Sequence, residues 1–249
     1  MSRPAPFIAA TLAQTETELR LTARRGENVL VTIIVPAVVL LFFASSGVLP
    51  APSGRPVDFL LPGSMALAII ATSLVNLGIA TAYERHYGVL KRLGGSPLTA
   101  AGLLTAKMGA VLVVEVVQVV LLVAIAASML GWSPAPGTNP VLLVGVVLLG
   151  TLAFAGLGLL LAGALRAEAT LALANALFIA AVLVGGIILP LDHLPELLAV
   201  VAGLLPAAAL SDALRGALGE NLDLARPLAI LVLWGLGSVA LTARTFRWE

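Results

Sequence analysis

The acid Glu115 lies deep inside a long apolar run, where few other residues could do chemistry. An ionised carboxylate is costly to place in hydrocarbon, so an intramembrane acid is by default a candidate functional residue. Gln118 follows three residues later, and the two should share one helix face that points into the protein. Side chains on that face would line a translocation path, or the Glu115 carboxyl would titrate there. The alternative is an interhelical hydrogen bond or salt bridge. Asn76 and Asn175 are further candidates for the path, although a lone intramembrane asparagine more often joins helices.

The sequence shows no catalytic constellation. His86 and His193 fall in different polar loops, where they cannot share a metal ion or form a base–nucleophile pair. Cysteine is absent, which excludes disulfides and thiolate metal sites. The chain also lacks a GxxxxGK[ST] loop, so any nucleotide-driven work would need an ATPase on another chain. We therefore expect a chain that is not an enzyme by itself, with no cofactor or metal of its own and no nucleic-acid partner.

The composition identifies a polytopic membrane protein. Of 249 residues, 60% are hydrophobic and 11% charged, and the mean hydropathy is +1.08; this excludes a soluble globular class. An all-α fold in one domain, residues 1–249, follows, because about 20 apolar helical residues cross a bilayer. Six spans are predicted at 29–49, 59–82, 100–130, 141–165, 170–190 and 227–243. Residues 195–218, interrupted by Pro206, predict two short re-entrant helices.

The first residues predict an amphipathic helix rather than a cleaved signal peptide. Over residues 5–25, Glu16, Arg20 and Arg24 recur at i, i+4. We expect this helix to lie in the membrane interface, with Arg20, Arg24 and Arg25 facing anionic headgroups of membrane lipids or a partner. A loosely ordered tail is the alternative.

The positive charges predict the orientation. With six spans and a cytoplasmic amino terminus, eleven of the 14 arginines and lysines fall inside and three outside. That bias places both termini and the segment 83–99 in the cytoplasm. The excess of arginine over lysine, together with the dominance of Ala, Leu, Val and Gly, suggests a bacterial source. The expected location is therefore a bacterial cytoplasmic membrane.

The segment 83–99, YERHYGVLKRLGGSPLT, carries a family resemblance. Glu84-Arg85, then Gly88-Val89-Leu90-Lys91-Arg92-Leu93 and Ser96-Pro97-Leu98, resembles the cytoplasmic signature of type-2 ABC exporter permeases. That signature reads ER, a short gap, then G-x-L-K-R-L-x-x-(S/T)-P-L. A second region is similar too: Asn175 with the apolar run to Pro190, Leu194-Pro195, Pro206 and Asp212-Ala213-Leu214-Arg215 parallel the family's fifth span and re-entrant outer helices. Leu205 departs from the pattern, because the family often has Asn there.

The resemblance implies that residues 83–99 form a coupling helix that docks into a separate nucleotide-binding ATPase subunit. Two such subunits per complex would bind ATP and Mg, and a second copy of the permease or a paralogue would complete the assembly. The implied coupling residues are Tyr83, Glu84, Arg85, Gly88, Lys91, Arg92 and Pro97. Glu84 and Arg85 are expected to contact the ATPase by charge-assisted bonds. Lys91 and Arg92 would do the same or anchor the segment at anionic headgroups.

These features favour an ATP-driven exporter of a lipophilic or amphiphilic compound. The spans carry almost no charge, so a hydrophobic substrate entering from the membrane is expected, and multidrug or antibiotic efflux, with antibiotic resistance as its result, comes first. Export of a lipid, glycolipid or polysaccharide precursor is the alternative within that class. An ion-driven secondary transporter that uses Glu115 as proton carrier is a second class. A non-transporting scaffold is a third.

Overall fold

The computed structural model describes residues 6–24, 26–46 and 54–245, and these residues form helices and turns with no strand. The helices are α1 (Phe7–Arg24), α2 (Gly26–Ser46), α3 (Pro56–His86), α4 (Val89–Gly94), α5 (Ala100–Met129), α6 (Pro140–Ala164), α7 (Ala167–Val184), α8 (Glu196–Ala202), α9 (Pro206–Ala217) and α10 (Ala225–Thr245). A single 3₁₀ turn, Leu191–His193, precedes α8. The expected all-α membrane fold is confirmed.

Five of the described helices, α3, α5, α6, α7 and α10, are long and apolar enough to cross a membrane. The bent pair α8 and α9 gives a sixth if it is counted as one span. The helix expected at 29–49 is α2, whose apolar stretch is Val31–Ser46; residues 47–49 lie outside the described residues. The helix expected at 170–190 ends earlier, at Val184, because the chain turns at Gly185 and Gly186, and Gly186 has φ +64°.

Helix α3 forms the centre of the bundle. About 72% of its most apolar stretch is buried, compared with 17% for α7. Its middle, Ala71–Asn76, is π-helical, and this wider turn carries Thr72, Ser73 and Asn76. Glycines set the spacing to α6, since a Cβ on Gly158 would lie 2.8 Å from the carbonyl oxygens of Ser73 and Leu74. The polar residues of α3 are therefore held against α6 by backbone contact.

Helix α1 packs on α5 through a polar face. Thr11, Thr15, Glu18 and Thr22 recur at spacings of four, three and four, so they lie on one side of the helix. A Cβ on Gly109 of α5 would lie 3.6 Å from Thr15, which shows how closely this side approaches α5. The neighbouring side exposes Ile8 and Leu12, which are 71% and 64% exposed. An exposed apolar stripe beside arginines fits the expected position in the membrane interface.

The short helices α8 and α9 are bent by 78° relative to each other. Pro206 is the first residue of α9, where its missing N–H costs nothing. Helix α9 is buried against α3, α6 and α10, while α8 exposes Leu197 and Val200. The bend fits both a broken span and the predicted re-entrant pair.

Candidate functional site

The polar segment, residues 83–99, is divided in the structure. Tyr83 to His86 form the end of α3. Gly88, two residues further on, has φ of +71°, the left-handed conformation that glycine adopts without strain. The short helix α4 follows, and Thr99 then caps α5 by accepting a hydrogen bond from the Gly102 N–H at 3.1 Å. The single coupling helix expected over 83–99 is thus a helix end, a turn and a short helix.

Glu84 is held inside the chain by Lys107. The Lys107 Nζ donates to Glu84 Oε2 at 2.6 Å and to Glu18 Oε2 at 3.0 Å, and the lysine side chain is only 1% exposed. Gln14 also donates to Glu18, at 2.8 Å. We name Lys107, Glu18 and Glu84 the lysine clamp, because they join α5, α1 and the end of α3. The sequence hypothesis for Glu84 as a direct partner contact did not anticipate this clamp.

Arg85 is also engaged within the chain. Its guanidinium donates to the carbonyl oxygens of Gly163 and Leu165. These carbonyls lie at the end of α6, where helical carbonyls have no intrahelical donor. Arg85 therefore caps α6 and fixes the angle between α3 and α6 at this end of the bundle, which we call the polar end.

Other side chains of the polar segment face outward. We name seven of the exposed residues the outward face: His86, Tyr87, Val89, Lys91, Arg92, Ser96 and Pro97. Tyr87, 69% exposed, stacks on Tyr83 with ring centroids 6.1 Å apart. An exposed aromatic stack next to cations has the composition of a protein-binding surface.

A cavity of about 550 Å³ opens beside the polar segment; we call it the polar-end cavity. It is lined by Thr22, Thr32, Thr72, Asn76, Leu77, Ile79, Ala80, Tyr83, Glu84, Tyr87, Val89, Val111, Val114 and Leu171. Most of these side chains are apolar or carry a single hydroxyl or amide group. A cavity of this size lies within the range of small-molecule sites. Asn76, a candidate path residue, lies in its wall.

Glu115 and Gln118 lie behind this cavity and do not line it. Glu115 is fully buried and contacts the hydroxyls of Ser73 and Thr151. Gln118 exchanges hydrogen bonds with Thr72 at 3.0 and 3.1 Å and donates to the Thr32 carbonyl oxygen at 3.2 Å. These hydrogen bonds join α5 to α2, α3 and α6. They are interhelical contacts of the kind expected as the alternative to a translocation path.

The described residues hold no group of three or more His, Asp or Glu side chains placed to bind a metal ion. Comparison with known families gives a match to the ABC-2 type transporter model over residues 10–218. The chain belongs to the ABC-2 type transporter family. It is a membrane-spanning permease subunit of an ABC-type transporter, a family whose permeases work with an ATPase subunit. No curated protein matches the chain.

Asn175 of this permease lies away from the cavity. Its side chain is exposed on α7, and its Nδ2 donates to the carbonyl oxygen of Leu171 at 2.8 Å. Leu171 itself lines the cavity. The structure therefore brings Asn76 to the cavity, places Glu115 and Gln118 behind it, and leaves Asn175 on an outer face of the permease.

The cations of α1 are exposed. Arg20 pairs with Glu16 at 2.5 Å on the surface, and Arg24 ends the helix. Arg25 lies outside the described residues. An exposed pair of this kind adds little to the stability of the permease, so these arginines are available to headgroups.

Sequence reasoning missed the residues that hold the other end of the permease together. Arg215 is 6% exposed; its Nη1 donates to Asp212 at 2.9 Å, and its other amino group donates to the Gly186 carbonyl oxygen. Its guanidinium also lies 4.1 Å from the centre of the Phe59 ring. The family resemblance had singled out Asp212 and Arg215, but Gly186 and Phe59 are remote in sequence and carried no local signal.

Proposed function

We propose that this permease, with an ATPase subunit bound at the outward face of its polar segment, exports a lipophilic or amphiphilic compound through the polar-end cavity. One observation carries the proposal: the polar segment forms part of the cavity wall. Four residues belong to both, namely Tyr83, Glu84, Tyr87 and Val89. Movement of the segment by the ATPase would therefore change the shape of the cavity directly.

The proposal reassigns roles within the polar segment. Glu84 and Arg85 hold the segment to α1, α5 and α6, so they transmit force, while the outward face makes the contact. Tyr87 is the strongest candidate for the contact, because a large exposed aromatic ring is a frequent centre of binding energy in protein interfaces. Gly88 permits the turn that presents Tyr87.

The polar end is assigned to the cytoplasm. Residues 20, 24, 85, 91, 92, 107, 166 and 244 of the described chain supply its positive charge, and ATP is available on that side. The assignment makes both termini cytoplasmic in a bacterial plasma membrane.

A second permease subunit is proposed to pack against α7. This helix is the least buried of the spans, and it exposes the amide of Asn175 in an apolar stretch. An amide facing lipid has no partner beyond its own helix, whereas a second copy would offer one. The complex would then hold two permease and two ATPase subunits, with ATP and Mg bound by the latter.

The first test is binding and stimulation of the cognate ATPase subunit. Tyr87→Ala should lower copurification of the ATPase and its stimulation by the permease by about tenfold, since a truncated aromatic anchor costs 1–2 kcal/mol. Tyr87→Phe should retain both, and Val141→Ala, at an exposed position of α6, should change neither. Full binding and stimulation by Tyr87→Ala would overturn the proposed docking surface.

The second test concerns the substrate class. Efflux of ethidium from cells and from proteoliposomes should depend on both subunits and on ATP if a drug-like compound is carried. Outward movement of a fluorescent phospholipid without ethidium transport would support the lipid-export alternative. Ethidium transport driven by a proton gradient without ATP would overturn the ATP-driven mechanism.

A further inference from the structure

At the polar end the wall of the cavity comes from two elements that are remote in sequence, and we call the gap between them the mouth. Thr22 of α1 stands on one side, and Glu84 and Tyr87 at the end of α3 stand on the other. Glu18 lies one helical turn before Thr22 and on the same face of α1. The width of the mouth therefore depends on how α1 is placed relative to the polar segment.

The lysine clamp joins these two sides. Helix α1 packs on α5 and α2, and Lys107 of α5 reaches both Glu18 and Glu84. Both carboxylates are about 12% exposed, and the ammonium is nearly fully buried. Bonds of this kind are charge-assisted and stronger than neutral hydrogen bonds. A single ammonium thus holds both walls of the mouth.

The chemistry of the clamp allows one wall to move without the other. An ammonium has three donors and no acceptor, so the bond to Glu18 and the bond to Glu84 use separate protons. Loss of one bond leaves the charge of Lys107 compensated by the remaining carboxylate. Loss of Lys107 leaves two buried carboxylates unpaired, which is far more costly.

We propose that Lys107 is a positioning residue that sets the width of the cavity mouth, with Glu18 holding α1 and Glu84 holding the polar segment. Movement of the polar segment under the ATPase then reaches α1 through Lys107, and the mouth opens to the membrane interface in which α1 lies. This role rests on the proposed function, because the mouth matters only if the cavity admits the substrate.

The clamp itself can be tested on the permease without its ATPase. The chain has no cysteine, so Thr22→Cys and Tyr87→Cys carry two spin labels without background labelling. The distance distribution is measured by pulsed electron paramagnetic resonance in lipid nanodiscs. Glu18→Gln should raise the population with a widened mouth about tenfold, the equivalent of one charge-assisted bond. Glu16→Gln, the same change on the exposed side of α1, should leave the distribution unchanged. An unchanged distribution in Glu18→Gln would overturn the positioning role.

A second measurement separates the two arms of the clamp in the full complex. With ethidium as probe, Glu18→Gln should change the concentration giving half-maximal ATPase stimulation severalfold and retain the maximal rate. Glu84→Gln should instead lower the transport per ATP hydrolysed, because the polar segment is no longer held. Lys107→Arg should partly preserve both the half-maximal concentration and the transport per ATP hydrolysed. If the two glutamine variants behave alike, the separate roles are wrong.

Two further measurements distinguish a failure of folding from a failure of function. The triple variant Glu18→Gln, Lys107→Met, Glu84→Gln carries no clamp charge, so it should fold yet show the widened mouth. If it folds with a normal mouth, the clamp has no positioning role. A widened mouth in the labelled permease would support the clamp. If the unlabelled permease, with Tyr87 intact, then fails to stimulate any ATPase, the proposed function is overturned while the clamp stands.

Discussion

The two ends of the permease are held together by different kinds of contact. At the polar end, side chains bridge the helices: Lys107 joins Glu18 and Glu84, and Arg85 caps α6. At the opposite end, the Arg215 side chain also bridges elements, but there backbones meet directly as well. The N–H of Asn139 donates to the carbonyl oxygen of Ala217 at 2.9 Å.

Glycines make this backbone approach possible at the opposite end. A Cβ on Gly63 would lie 2.1 Å from the Ile187 carbonyl oxygen, and one on Gly219 would lie 2.8 Å from the Cβ of Ala135. Backbone contacts of this kind have little freedom to adjust, whereas bridging side chains can change partners. From this difference we expect movement in this permease at the polar end, beside the cavity.

The largest effect is expected where backbones touch. Gly63→Ala should lower the stability of the permease by about 3 kcal/mol, because α3 must move away from Ile187. That corresponds to a melting temperature in mild detergent lower by about 10 °C. Gly237→Ala on α10 is the matched control, since an added Cβ there meets nothing within 4 Å. Equal melting temperatures for the two variants would remove the contrast between the ends.

The next effect compares two arginines, one at each end of the permease, that each donate to backbone carbonyl oxygens. Arg215→Lys should destabilise the permease by about 2 kcal/mol, because a lysine cannot serve Asp212, the Gly186 carbonyl and the Phe59 ring together. Arg85→Lys should cost about 1 kcal/mol but lower the ATPase coupling ratio. Thermal melting and coupled hydrolysis, measured on both variants, check this division. If Arg215→Lys lowered the ATPase coupling ratio more than Arg85→Lys did, the roles assigned to the two ends would be reversed.

The sequence predicted long helices because most apolar runs are long, as in Ala100–Met129. The apolar part of α2, Val31–Ser46, is shorter than the five candidate spans. The sequence also predicted that Glu115 and Gln118 share an inward face, which follows from their spacing alone. The sequence did not predict the lysine clamp. Glu18 and Lys107 are 89 residues apart, and no local pattern specifies that pairing. The early end of α7 was missed because the apolar run continues past Gly185, while the backbone turns there.

The middle of the bundle offers a third, smaller effect. Glu115→Gln keeps the contacts with Ser73 and Thr151 and should cost about 1 kcal/mol. We expect ATP-driven efflux within about twofold of the parent at every external pH, since 1 kcal/mol of stability leaves the fold intact. Loss of pH-dependent transport in this variant would instead support the ion-driven alternative.

The smallest effect on the isolated subunit is expected at Asn175. Its amide bonds only within α7 among the described contacts, so Asn175→Leu should change the melting temperature of the monomer by no more than about 1 °C. Association should be more sensitive, because an interhelical hydrogen bond in a membrane contributes about 0.6 kcal/mol and two copies would lose it twice. Förster transfer between labelled permeases in nanodiscs of varied protein density measures that association. Leu173→Ala, on an exposed position of the same helix, is the control for lost apolar area. Weaker association for Asn175→Leu than for Leu173→Ala would identify the amide as the contact between subunits. Association equal to that of the parent in both variants would leave α7 facing lipid.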